Sequence, residues 1–374
     1  MKLFEPITIR NLELKNRVIY PAFQMNMGLS NRRARAFYAE RAQGGTGLVF
    51  TANTAIDNLA SEDLWGGAEQ LASFIDRLKL LTDQVHEAGG KIGLQLWLAN
   101  RFPTGHGLQI AGVEAEPGAG DLIGPSAMED KRQLTIPEIE SIIYRFAKGA
   151  RNVRDAGFDC VELHGAHSYL PCQFTYAGTN QRDDTYGGDA RRRMQFGINM
   201  VKAVRAFVGS DYPIFYRQGV LETEDGVDPD SISFAQELEK AGVDCLDIST
   251  GGFGRTPVVP TKRDKVGTLV YLAEAIKKNV SIPVIGVGKI NTPELAEEIL
   301  QSGRADMVAV GRQLVADPFW PNKIKAGRFE DVTNCESCSV NCCSPAFKRN
   351  LPEGSPLCKN NERVGREWEI PLST

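Results

Sequence analysis

The sequence predicts a single (β/α)8 TIM barrel with a Cys-rich C-terminal extension. Three observations point there. Short apolar, β-branched runs recur along the chain; amphipathic helical stretches separate them; and glycine-bearing turns follow the late strands. The 374 residues are enough for one large α/β domain or two smaller ones. A doubly wound parallel sheet is the alternative architecture. The expected division is 1–333 for the barrel and 334–374 for the extension.

The strands are expected at Arg17–Ala22, Gly47–Ala52, Lys91–Trp97, Asp159–Leu163, Pro213–Arg217, Asp244–Ser249, Ile282–Val287 and Asp306–Val310. Helical patterns cover Glu69–Ala88, Pro137–Ala156, Asp189–Val208, Asp230–Ala241 and Pro293–Gln301. Asp228-Pro229 and Thr292-Pro293 look like helix starts, whereas Ala156-Gly157, Ala241-Gly242 and Ser302-Gly303 look like helix ends. The Gly- and Pro-rich stretch Leu98–Leu134 has no helical period. It reads as an extended loop after strand three, over the active-site face, or as an interdomain linker.

Net charge is −4, with Lys and Arg dispersed, so neither nucleic acid nor an anionic membrane is an expected partner. No apolar run approaches the roughly 18 residues of a membrane span, and the start lacks a signal-peptide core, so a cytoplasmic location is expected.

The chemistry concentrates after strand four. His164-Gly-Ala-His167-Ser-Tyr169 sets two imidazoles and a phenol at the C-terminal end of a buried strand, where β/α barrels keep their active sites. Two of only four His stand three residues apart. A zinc-ligand pair or core histidines are the competing readings. The late turns Ile285-Gly-Val-Gly288-Lys289 and Val310-Gly311-Arg312, with Ser249-Thr-Gly251-Gly252 after strand six, suit a phosphate-bearing cofactor. Gln95 and Arg217 lie in otherwise apolar strands. They read either as a structural set, with Arg217 paired to an acid such as Glu162, or as polar partners of a flavin pyrimidine edge.

Together, the start from Leu3 to Arg17, Gly93-Leu-Gln95-Leu-Trp97, the His164–Tyr169 segment, Asn180–Gly188 and Ala296–Pro318 resemble the Old Yellow Enzyme family of FMN-dependent ene-reductases. The resemblance implies FMN at the C-terminal strand ends. Pro21, Ala22 and Ala52 would line it, Gln95 and Arg217 would meet the ring, and Gly288, Gly311 and Arg312 would hold the phosphate. It further implies that His164 and His167 bind the carbonyl of an α,β-unsaturated substrate and that Tyr169 donates a proton. NAD(P)H is the implied electron donor and a homo-oligomer the implied assembly. Phe23, Leu98 and Asn100 depart from the family pattern, which bears on flavin potential and substrate pocket. An electron-transfer, amine-oxidising or demethylating flavoprotein is the alternative. A cysteinyl-linked flavin is not expected, since no Cys precedes Cys160.

Five of the eight Cys crowd the tail. Cys335-x2-Cys338-x3-Cys342, next to Cys343, is followed by Cys358. These supply four thiolates for a [4Fe–4S] cluster or for zinc, unless the segment is a degenerate remnant. The order is similar to the iron–sulfur segment of the 2,4-dienoyl-CoA reductase branch. The flavin- and NAD(P)H-binding half of that branch is not present in these 374 residues, so a cluster would call for a separate electron-donor protein, whereas without one NAD(P)H would reduce FMN directly at the barrel mouth.

Overall fold

The structure, a computed structural model, describes residues 1–25, 27–100, 121–128, 130–253, 258–338, 342 and 357–370. Eight parallel strands close into a barrel: β1 (Val18–Tyr20), β2 (Leu48–Phe50), β3 (Ile92–Trp97), β4 (Cys160–Gly165), β5 (Ile214–Val220), β6 (Cys245–Thr250), β7 (Val284–Gly286) and β8 (Met307–Ala309). Strands adjacent in sequence are adjacent in space, and β8 closes on β1 with Val308 opposite Val18. Each predicted strand is present, at the same place in the chain.

Alternation along the strands builds two cores. Cys160, Phe215, Cys245, Ile285 and Met307 face the barrel interior, while Val161, Leu163, Leu246 and Val308 face the helices. Gly93 is required inside, because a Cβ there would lie 2.5 Å from the Phe50 ring and 2.6 Å from Cys160 Sγ. An N-terminal hairpin that sequence patterning did not reveal, Ile7–Ile9 with Leu12–Leu14, adds Ile9, Leu12 and Leu14 to the interior cluster.

The helices are α1 (Arg32–Gln43), α2 (Ala68–Glu87), α3 (Ile136–Asp155), α4 (Gln195–Val208), α5 (Pro229–Ala241), α6 (Val270–Lys277), α7 (Pro293–Gln301), α8 (Arg312–Ala316) and α9 (Trp320–Lys325), with further short helices between, Leu170–Thr175 after β4 among them. The expected starts are capped: Asp228 accepts from Asp230 N, and Thr292 from Leu295 N. Thr135 and Glu138 form a capping box at α3. Helices α1, α6, α8 and α9 lie outside the predicted stretches, and the one expected over 189–208 is divided at Met194. Among the described residues, no helix is long and apolar enough to cross a membrane.

Residues 101–120 of the predicted loop lie outside the described residues. Its return is ordered by the segment after β4: Arg182 Nη1 donates to Pro125 O at 2.7 Å and to Leu134 O at 2.6 Å. Asn180 Nδ2 bridges Phe174 O and Tyr186 O. The motif Asn180–Gly188 therefore supports the site wall rather than the chemistry. The tail lies on α1 and α8, through Arg363 to Glu40 (2.6 Å), Glu367 to Arg41 (3.3 Å) and Asn361 to Val315 O (3.2 Å).

Candidate active site

Strand β4 carries Cys160, Glu162 and His164 on its interior face and delivers His164 to the C-terminal mouth. The chain then turns sharply, with His167 at φ 58° and Ser168 at φ 62°, both left-handed and both non-glycine. Such strain persists only where surroundings enforce it. Here Ser168 N donates to Gly251 O at 2.6 Å and His167 N to Thr250 O at 3.3 Å, binding the turn to the end of β6.

The turn gathers four rings. His164 lies 5.0 Å from His167 and 4.9 Å from Tyr169, centroid to centroid, and Tyr169 meets Trp97 edge-on at 4.8 Å. The Ala166 amide donates to His164 Nδ1 at 3.3 Å, so in the neutral ring the proton sits on Nε2. His167 Nε2 pairs with Ser249 Oγ at 2.8 Å. Burial, with Arg217 nearby, drives both imidazoles well below their ordinary range, and both are uncharged at neutral pH. Burial also lifts the Tyr169 phenol above 10, although Arg217 pulls the other way.

Under these rings lies a polar layer of Gln95, Glu162, Arg217 and Asp247. Gln95 Nε2 donates to Glu162 Oε2 at 2.5 Å, and Arg217 Nε stands 3.5 Å from Asp247 Oδ2. The acid paired with Arg217 is thus Asp247 rather than Glu162. Asp247 was legible as an acid at an inward position of Cys245-Leu-Asp-Ile-Ser-Thr250, yet sequence reasoning did not single it out. Ser249 serves His167, where a phosphate donor was expected. Trp97 was likewise unassigned.

The other predicted contacts spread along the barrel rim. Arg217 Nη1 donates to Ala22 O at 3.2 Å, and a Cβ on Gly311 would lie 3.4 Å from Pro21 Cγ, so β1, β5 and β8 converge there. Ala52 N donates to Tyr38 Oη at 2.9 Å, which ties it to α1. Gly288, at φ 123°, packs against Leu269 after β7. Arg312 begins α8, and its buried Nη1 has no hydrogen-bond partner among the described residues. Asn100 accepts from Gln173 Nε2 at 2.6 Å and so braces the helix after Tyr169.

Cys335, Cys338, Cys342 and Cys358 line one cavity, and Arg312 forms part of its wall. Among the described residues, no three His, Cys, Asp or Glu side chains come close enough to hold a single metal ion. Cys343 lies outside the described residues.

Comparison with known proteins agrees with the fold. The sequence model described as the NADH:flavin oxidoreductase / NADH oxidase family matches residues 2–331. An NADH oxidase of Thermoanaerobacter brockii is 39% identical over 380 residues, covering 98% of this chain and 56% of that protein. A cinnamate reductase of Clostridium sporogenes is 32% identical, covering 99% and 59%. A solved 2-naphthoyl-CoA reductase complex with 2-naphthoyl-CoA matches with a TM-score of 0.84 at 29% identity, over 98% of this chain and 58% of that one. The chain thus spans between half and two thirds of the length of these relatives. With its closed barrel and matching sequence, it belongs to the NADH:flavin oxidoreductase / NADH oxidase family, the FMN-dependent oxidoreductases of Old Yellow Enzyme type.

Proposed function

We propose that this chain is an FMN-dependent ene-reductase barrel that reduces the activated C=C bond of an α,β-unsaturated carbonyl compound. The observation that carries this reading is the meeting of two uncharged imidazoles and one uncharged phenol at the barrel mouth. The names of two relatives, a cinnamate reductase and a 2-naphthoyl-CoA reductase, support a conjugated acyl substrate.

The residues present fit FMN. The unpaired, buried Nη1 of Arg312 suits a phosphate oxygen, and Gly288 and Gly311 would let backbone approach it closely. Gln95 and Arg217 offer an amide and a guanidinium to a pyrimidine edge, with Pro21, Ala22 and Ala52 along its rim. FMN, when bound, supplies the hydride. The remaining work falls to this chain. His164 Nε2–H and the His167 ring would donate to the substrate carbonyl, whose oxygen gains negative charge as the alkene is reduced. Because both rings are neutral, each has a single N–H to donate, which for His164 is Nε2–H. Tyr169, kept protonated, would deliver its proton to the α-carbon, its ring held by the edge of Trp97.

Tyr169→Phe tests this assignment. With FMN retained, reoxidation of the reduced protein by 2-cyclohexenone should slow by about 10²–10⁴-fold. An unchanged rate removes Tyr169 from the chemistry. Failure of any enone to reoxidise the wild-type protein favours amine oxidation or electron transfer.

For the tail (334–374), we propose a [4Fe–4S] cluster on Cys335, Cys338, Cys342 and Cys358. The shared cavity and the four thiolates, the usual ligand count of such a cluster, support it; zinc, which takes the same four, is the alternative. Electrons would arrive from NAD(P)H or a donor protein. Iron and acid-labile sulfide assays on anaerobically purified protein decide: zinc without sulfide overturns the cluster.

A further inference from the structure

The polar layer beneath the rings has an uneven charge count. Register places Gln95 opposite Glu162 and Arg217 opposite both His164 and Asp247. Glu162 is 0% exposed, Asp247 and Gln95 1%, and Arg217 7%. Two carboxyl groups therefore share one guanidinium. Arg217 Nε is 3.5 Å from Asp247 Oδ2, while the hydrogen-bond partner of Glu162 is an uncharged amide on Oε2. Glu162 Oε1 and Asp247 Oδ1 both lack a hydrogen-bond partner among the described residues, so what separates the two acids is their nearness to the guanidinium.

An ionised Glu162 would be a buried anion next to a second carboxylate whose cation is already engaged. A buried carboxyl in that position escapes the penalty by keeping its proton. The other titratable neighbours offer no relief. Cys160 and Cys245 are thiols that burial keeps protonated, and His164, near Arg217, is uncharged. Burial and the charge of Asp247 push Glu162 up, against the smaller opposing pulls of Arg217 and Gln95.

We infer that Glu162 is the proton-carrying member of this layer and sets the net charge beneath the flavin ring. With its proton, the Glu162–Asp247–Arg217 set is neutral; without it, the set carries one net negative charge. Glu162 is then a positioning residue, acting through Arg217, and the inference rests on the flavin reading above. Two-electron reduction of the flavin with uptake of one proton leaves negative charge on the ring. Where Glu162 is ionised, that charge draws one further proton from solvent onto the Glu162 carboxylate, and no other bond changes.

The test is the flavin midpoint potential of the purified holoprotein from about pH 6 to about pH 10, for wild type, Glu162→Gln and Asp247→Asn. Wild type should take up an additional proton per two electrons over part of that range. Glu162→Gln should lack it. Asp247→Asn should move it to lower pH, because Arg217 is then free to pair with Glu162. Parallel curves for wild type and Glu162→Gln overturn the inference. A flavin-free readout stands beside it: the infrared C=O stretch of a buried protonated carboxyl in the apoprotein at neutral pH. That band should be present in wild type and lost in Glu162→Gln, and its absence from wild type also overturns the inference. If wild type binds no FMN, the proposed function fails, and the infrared band alone decides the state of Glu162.

Discussion

Arg41 in α1 has no solvent exposure and meets Glu367, 326 positions away in the chain, at 3.3 Å. The same guanidinium lies 3.3 Å from the centre of the Phe37 ring and donates to Phe37 O at 2.6 Å. Glu367 Oε2 is held in turn by Gly365 N at 2.9 Å. Removing one member of a buried pair strands the other, at a cost of about 3–5 kcal/mol. Glu40 Oε2 stands 3.8 Å from Arg41 and would recover part of this. Glu367→Ala should therefore destabilise the protein by about 3 kcal/mol in chemical denaturation. A change under about 0.5 kcal/mol, the range of ordinary surface substitutions, would mean the tail does not lock the barrel.

That pair also explains what the sequence concealed. Helix α1 reads as a polar, arginine-rich stretch, and its buried face includes Glu40 and Arg41. Those charges are tolerated inside only because Arg363 and Glu367 return to them from the tail, and no local pattern announces this. The eight strands were legible because burial on both faces leaves continuous apolar runs. In the site, His164, His167, Tyr169, Gln95 and Arg217 stood out as polar residues at strand ends or inside apolar strands. Asp247 obeyed the same rule and was passed over. Ser249 could not be matched to His167, because that contact depends on how the turn after β4 is strapped to β6.

Gly288 tests the rim at β7. Its φ of 123° disfavours any side chain, and a Cβ would stand 2.7 Å from Leu269 N, a backbone atom that cannot swing away. Gly288→Ala should cost about 1–3 kcal/mol of stability, as strained left-handed positions do. It should also lower FMN content at purification. Full FMN content with unchanged Tm would place the cofactor elsewhere.

Ser249 is the partner of His167. Deleting its hydroxyl leaves a buried ring nitrogen unpaired, a loss of about 1–3 kcal/mol. If half of that falls on the step in which the ring aids the substrate, Ser249→Ala should slow enone reduction about two- to tenfold. FMN should be retained, and Ser249→Thr should restore most of the rate. A normal rate in Ser249→Ala would show that the ring is held by other means.

The two imidazoles also fix a pH dependence, for both stability and rate. Their folded-state values lie well below 6.5, with burial the larger cause and Arg217 adding to it. A group depressed on folding contributes stability above its unfolded value, and that contribution is lost as pH falls toward the folded value. Protonation in the unfolded chain begins near pH 6.5, so the stability these two rings contribute should fall from about pH 6.5 downward. The carboxylates held low by ion pairs and hydrogen bonds, such as Asp159 and Asp184, act only further into acid, below their own unfolded values. Glu162, which burial keeps protonated in the folded protein, works the other way and adds stability as pH falls. The imidazole contribution is therefore the difference between wild type and His167→Gln, whose amide does not titrate: denaturation midpoints at about pH 7.5, 6.0 and 5.0 should show the variant gaining on wild type as pH falls. The enone step behaves differently. Both rings stay uncharged in the folded protein, so its rate should be flat from about pH 7.5 to about pH 5.5. A break near pH 6.5 in that rate would mean that an imidazole titrates in the folded site, and the two donors would then be charged for part of the working range.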